Sequence, residues 1–102
     1  MNKTRISKKW LNQDTNSLFR AILDLDNLTE ARNFFRDLLT EKELLEFAQR
    51  WKVAKMLSAG KAYVDIEKET GMSSTTIARV HKWLKKGMGG YKLALGRLKE
   101  NH

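Results

Sequence analysis

The chain has no cysteine and no proline, and only two histidines among its 102 residues. Without thiols there are no disulfides and no thiolate metal sites, and His81 and His102 cannot form a metal cage between them. No apolar run approaches the roughly 20 residues that cross a bilayer. The first ten residues, MNKTRISKKW, are basic and lack an apolar segment behind them, so neither a secretory leader nor a membrane partner is expected, and a cytoplasmic location is. Catalytic pairings are scarce as well. Glu67 and Glu69 lie two apart and would diverge on a helix, no glycine-rich phosphate loop is present, and His81 has no nucleophile paired with it in a recognisable pattern. The expectation is a protein with no catalytic residues, no metal and no cofactor, leaving open a small-molecule effector.

Proline averages about 5% in proteins, so its complete absence, together with a supply of Leu, Lys, Ala, Glu and Arg, predicts an all-α fold punctuated by glycine. Hydrophobic residues at 41% and charged ones at 31% suit a folded globular chain. After a basic start anchored by Trp10 and Leu11, Asp14 or Thr15 is expected to cap a first helix. Its residues Leu18, Ala21, Ile22 and Leu25 follow the helical repeat, and it is expected to end near Asp26 and Asn27. Thr29 is expected to cap a second helix bearing Ala31, Phe34, Phe35, Leu38 and Leu39. Thr40 and Glu43 have capping-box spacing, which predicts a third helix from Glu41 to about Ser58, closed by a left-handed Gly60. That third helix carries Leu44, Leu45, Phe47, Ala48, Trp51, Val53, Ala54, Met56 and Leu57, more than one apolar stripe. A chain of short helices can hardly cover it from all sides, so a second subunit is expected, the alternative being that Val53 and Met56 are singly exposed.

The segment from Ile66 to Lys86, IEKETGMSSTTIARVHKWLKK, reads as the heart of a helix-turn-helix. A helix over Tyr63 to Thr70 turns at Gly71, and Ser73 or Ser74 caps a second helix. Ile66, Met72, Ile77 and Val80 fall where the two helices pack, leaving Ser74, Thr75, Thr76, Ala78, Arg79 and Lys82 outward. Short hydroxyl side chains at a helix front permit close approach to DNA, and Arg79 and Lys82, three apart, share a face. Charge points the same way. Up to Gln49 bases and acids balance, so the net +8 lies wholly beyond it, and Arg79, Lys82, Lys85, Lys86, Lys92, Arg97 and Lys99 follow one another with no acid between them. A block of one sign attracts polyanions. The candidate DNA-binding residues are therefore Ser73, Ser74, Thr75, Thr76, Ala78, Arg79, Lys82, Lys85 and Lys86. Beyond them, Gly87, Gly89 and Gly90 break the chain before a last short helix from Tyr91 to Leu98.

The expected organisation is one all-helical domain: a flexible basic arm over 1–12, dimerisation helices over 13–60, the helix-turn-helix over 62–86, and a glycine break with a short C-terminal helix over 87–102. The expected partners are double-stranded DNA and a second copy of the chain. Two alternatives stand beside this reading, a helix-turn-helix module that docks on an acidic protein and a DNA-binding protein without sequence preference.

LLTEKE opening the long helix, Arg50 within it, Gly60 closing it and the run ETGMSSTTIAR are the residues through which the chain resembles the bacterial Trp repressor family, most closely its Trp-repressor-related YerC/YecD branch. The similarity covers roughly Leu38 to Leu84. It implies an intertwined all-helical dimer, a short-helix bundle whose two helix-turn-helix heads reach successive major grooves, and a regulator of transcription, most simply a repressor. It also implies that Thr40, Arg50 and Arg79 match the positions that surround the amino acid in tryptophan-sensing members. Val80 and Trp83 stand where those members have a glycine and a serine. Both add bulk to the space that holds the indole, so the resemblance with these departures implies a protein that does not respond to tryptophan.

Overall fold

A computed structural model describes residues 8–100 and shows six α-helices and no strand among them. None of these helices is long and apolar enough to cross a membrane. The chain divides into two compact units, Met1–Thr40 and Glu41–His102.

The first unit holds α1 (Gln13–Leu23) and α2 (Leu28–Leu38). Asn12, rather than Asp14 or Thr15, is the cap of α1: its side chain accepts from the Thr15 amide at 3.0 Å, and Thr15 Oγ1 accepts from the Asn12 amide at 3.0 Å. This reciprocal pair satisfies two otherwise orphaned donors. Residues 1–7 of the expected arm lie outside the described residues, while 8–12 form a turn closed by the Leu11 amide on the Lys8 carbonyl at 2.9 Å. Trp10 packs edge-on against Phe19, ring centroids 6.4 Å apart. α1 stops at Leu23, short of the expected Asp26, and α2 begins two residues earlier than Thr29 would allow because Asn27 is its cap, accepting from the Glu30 amide at 2.9 Å. Asn competes as well as Thr or Asp at a cap, and here it wins twice. Neither helix buries a residue fully.

The second unit contains α3 (Glu41–Ser58), α4 (Tyr63–Thr70), α5 (Ser74–Lys86) and α6 (Gly90–Glu100). The bounds of α3 and α4 are those the sequence predicts, and Gly60 takes φ 85° where α3 closes. The core of this unit joins Val53, Ala54 and Met56 of α3 to Ile66 of α4 and to Ile77 and Val80 of α5. Fully burying an isoleucine contributes about 1.5–3 kcal/mol, so Ile66 and Ile77, both at 0% exposure, bind the two helices of the motif to each other. Val53 and Met56 are therefore core residues of a single chain and not the exposed side chains considered above. The uncovered apolar side chains of α3 sit in its first half, Leu45 at 61% and Phe47 at 47% exposure. α6 returns onto the unit through Leu95, which is buried, and Tyr91, whose ring stacks on Trp51 at 6.4 Å with 19° between the planes.

Candidate nucleic-acid interface

Gly71 turns the chain from α4 toward α5 in the left-handed conformation, φ 73°, which costs a glycine nothing and an L-residue about 1–2 kcal/mol. Thr70 braces the turn from inside. Its hydroxyl donates to the Ile66 carbonyl at 2.7 Å and accepts from the Met72 amide at 3.1 Å. Ser73 then caps α5, accepting from the Thr76 amide at 3.2 Å. Tyr63 and His81 tie the two helices together laterally through a 2.8 Å hydrogen bond between Oη and Nδ1, so His81 is a half-buried strut.

At about 100° per residue, the buried positions Ile77 and Val80 define one side of α5 and Thr75, Ala78, Lys82 and Lys86 the opposite side. Ser74, Arg79 and Lys85 flank that outer strip, and all seven residues are exposed. Thr76, expected with them, is half-buried instead: its hydroxyl lies 3.1 Å from Ser73 Oγ and its side chain lines a cavity on the flank of the helix. Ser73 is exposed as well, but its hydroxyl is engaged in capping α5. The exposed strip thus combines small side chains near the N-terminus of α5 with bases toward its C-terminus. None of Arg79, Lys82, Lys85 and Lys86 is in an ion pair with a described residue. In contrast, Lys61 and Glu69 pair at 2.9 Å beside α4, and this ammonium holds the Glu69 carboxyl below the usual glutamate range, first through the hydrogen bond and then through its charge.

The flanking cavity, about 350 Å³, gathers Arg50 of α3 with Arg79, Val80 and Trp83 of α5. Four of the five pocket positions inferred from the family resemblance therefore meet, whereas Thr40 is the last residue of the first unit. Glu46, Met72 and Tyr91 complete the lining and were missed. Glu46 was within reach of the sequence, one turn before Arg50 on the same helix face. Tyr91 was not, because its position depends on how the glycine break returns α6. Val80 is buried at 3% exposure, while Trp83 is 50% exposed and walls this cavity without occupying all of it. The Lys82 ammonium lies 5.4 Å from the Trp83 ring centroid and the Arg50 guanidinium 5.6 Å from that of Phe47, both within cation–π range.

A helix-turn-helix with a basic, outward second helix, built on an all-α scaffold, defines the class of nucleic-acid-binding helical regulators. The Trp repressor protein family model matches residues 13–99, and the chain belongs to that family. It is 46% identical over 88 residues to the uncharacterized protein YerC of Bacillus subtilis (strain 168), covering 86% of this chain and 85% of that one. Among solved structures it is similar to a TrpR-like protein from Eubacterium eligens ATCC 27750, with TM-score 0.86, 43% identity and coverage of 91% and 96% of the two chains. A putative Trp repressor from Staphylococcus aureus is also similar, with TM-score 0.84, 38% identity and coverage of 93% and 96%.

Proposed function

We propose that this protein is a homodimeric, sequence-specific DNA-binding regulator of transcription that acts as a repressor and does not respond to tryptophan. The observation that carries the reading is the outer strip of α5, small at the front, basic at the back and free of acidic partners. In a major groove, Ser74, Thr75 and Ala78 meet base edges, the threonine methyl being suited to a thymine methyl. Arg79, Lys82, Lys85 and Lys86 hold phosphates, and the capped N-terminus of α5 adds its dipole to a nearby phosphate. Dimerisation is supported by the apolar side chains of the first unit that its own chain leaves open, Leu23 at 82% and Leu28 at 64% exposure among them. Twofold pairing would present two copies of α5 to half-sites about one helical turn apart. Insensitivity to tryptophan is supported by Val80 and Trp83, and calorimetry that detects stoichiometric, micromolar binding of L-tryptophan would refute that part.

The test of DNA reading is mobility shift across a salt series with two sets of variants. Lys82→Ala with Lys85→Ala is expected to weaken binding to every duplex and to flatten the salt dependence, while Thr75→Ala changes which sequences are preferred. Equal losses on all sequences from both sets would remove base reading, and no binding at low salt would leave the protein-docking alternative.

A further inference from the structure

Trp83 is the largest side chain on α5, yet it is 50% exposed and is not among the side chains packed on the core. Its ring does reach the outer strip. The Lys82 ammonium lies 5.4 Å from the ring centroid, and tryptophan offers a cation the best face of any aromatic side chain. Neighbours in sequence point about 100° apart on a helix, so this contact exists only because the lysine stem bends sideways across the helix surface. The other bases of the strip have no such hold. Among the described residues, the side chains of Arg79, Lys85 and Lys86 make no hydrogen bond, ion pair or ring contact. Around α5, Arg79 stands about 60° and Trp83 about 100° from Lys82 on the same side, while Ala78 lies about 40° to the other side. The ring therefore draws the ammonium toward Arg79 and away from Ala78.

We propose that Trp83 is a positioning residue for DNA binding, its ring holding the Lys82 ammonium at the Arg79 edge of the outer strip before a duplex arrives. The proposal rests on the DNA-binding reading above. A lysine head rides on a flexible four-carbon stem, and fixing it at a phosphate is an ordering cost that binding must meet. An ammonium already held over a ring has met that cost in the free protein. Two cations side by side repel, and a phosphate seated between them relieves both. Arg79 and Lys82 thus form one prepared seat for the DNA backbone, and the Ala78 side of the strip stays open to base edges. Trp83 also walls the flanking cavity, but a ring that served only as a wall would not act through Lys82.

The test is a double-mutant cycle on the full chain, read as equilibrium binding to a random-sequence duplex at constant low salt: wild type, Trp83→Leu, Lys82→Ala and both together, with Trp83→Phe as the conservative variant. Both side chains are exposed, so the variants keep the fold. Trp83→Leu is expected to weaken binding by about two- to tenfold per head, the ordering cost of one long side chain. With Lys82→Ala already in place, the same change is expected to alter affinity by less than about twofold. Trp83→Phe, which keeps a ring, recovers most of the loss. In the free protein, NMR should show the Lys82 methylene protons shifted upfield by the ring current, and Trp83→Leu should abolish that shift. Losses that simply multiply across the cycle would overturn the proposal, because the ring would then act without Lys82; so would ordinary lysine shifts in the wild type. If the wild type binds and the cycle shows no coupling, this inference alone falls; if the wild type binds no duplex at low salt, the DNA reading falls with it.

Discussion

The two units of the chain use their hydrophobic residues differently. The second unit closes a core of its own, with Val53, Ala54, Ile66 and Ile77 at 0% exposure, while Val64, Trp83, Met88 and Leu93 stay open. The first unit, of similar helical regularity, buries none fully, and leaves Phe19 at 46%, Leu23 at 82% and Leu38 at 47% exposure. Regular capping and amphipathic spacing make a helix; they do not say what covers it. The difference teaches that apolar residues here fall into two groups, one covered within the second unit and one left open, which the dimer proposed above would cover. α3 belongs to both regimes, open at Leu45 and Phe47 and closed at Val53 and Met56.

The sharpest way to break this comparison is to charge the open face. Leu23→Asp with Leu38→Asp is expected to convert a dimer to monomers in sedimentation and to lower DNA affinity by roughly 10²–10⁴-fold, since two linked heads bind far more tightly than one. A variant that stays dimeric would place the interface elsewhere. Next in size is Ile66→Ala, which opens a cavity in a closed core and is expected to cost about 2–5 kcal/mol in denaturant unfolding. That loss should appear equally at low and high protein concentration if the second unit is stabilised from within.

Ser73→Ala sharpens the comparison at the motif itself. It removes the cap of α5, costs about 1 kcal/mol, and should leave the oligomeric state untouched. The smallest effect concerns pH. Because Lys61 depresses the Glu69 carboxyl, that pair contributes stability above the ordinary glutamate range and loses it as pH falls through the lowered value. Lys61→Met should restore an ordinary Glu69 titration in NMR, with little change in unfolding because the pair is exposed.

Much of the fold was legible before any coordinates. α4 and α5 follow from Gly71, Ser73 and the spacing of Ile66, Ile77 and Val80, and α3 from its opening Thr40 and closing Gly60. The caps of α1 and α2 were misplaced because Asn12 and Asn27 stand next to other good cap residues, and propensity alone does not rank them. Which half of α3 is covered could not be read either, since periodicity is local and coverage is tertiary. At the candidate interface, the helical repeat put Thr75, Ala78 and Lys82 on one face. Thr76 does not belong with them: the same repeat sets it about 100° round from Thr75 toward Val80, where its hydroxyl meets Ser73 and its side chain lines the cavity. The meeting of Arg50 with Arg79 came from resemblance, and no spacing rule would have found Tyr91 beside them.

The most direct measurement is selection of bound duplexes from a random-sequence pool with the wild-type chain, with and without amino acids, which tests the open face and the reading helix together. The account predicts enrichment of a pseudo-palindrome with half-sites about one helical turn apart, unchanged by tryptophan and altered within the half-sites by Thr75→Ala. A pool that yields no consensus, or one without twofold symmetry, would contradict it.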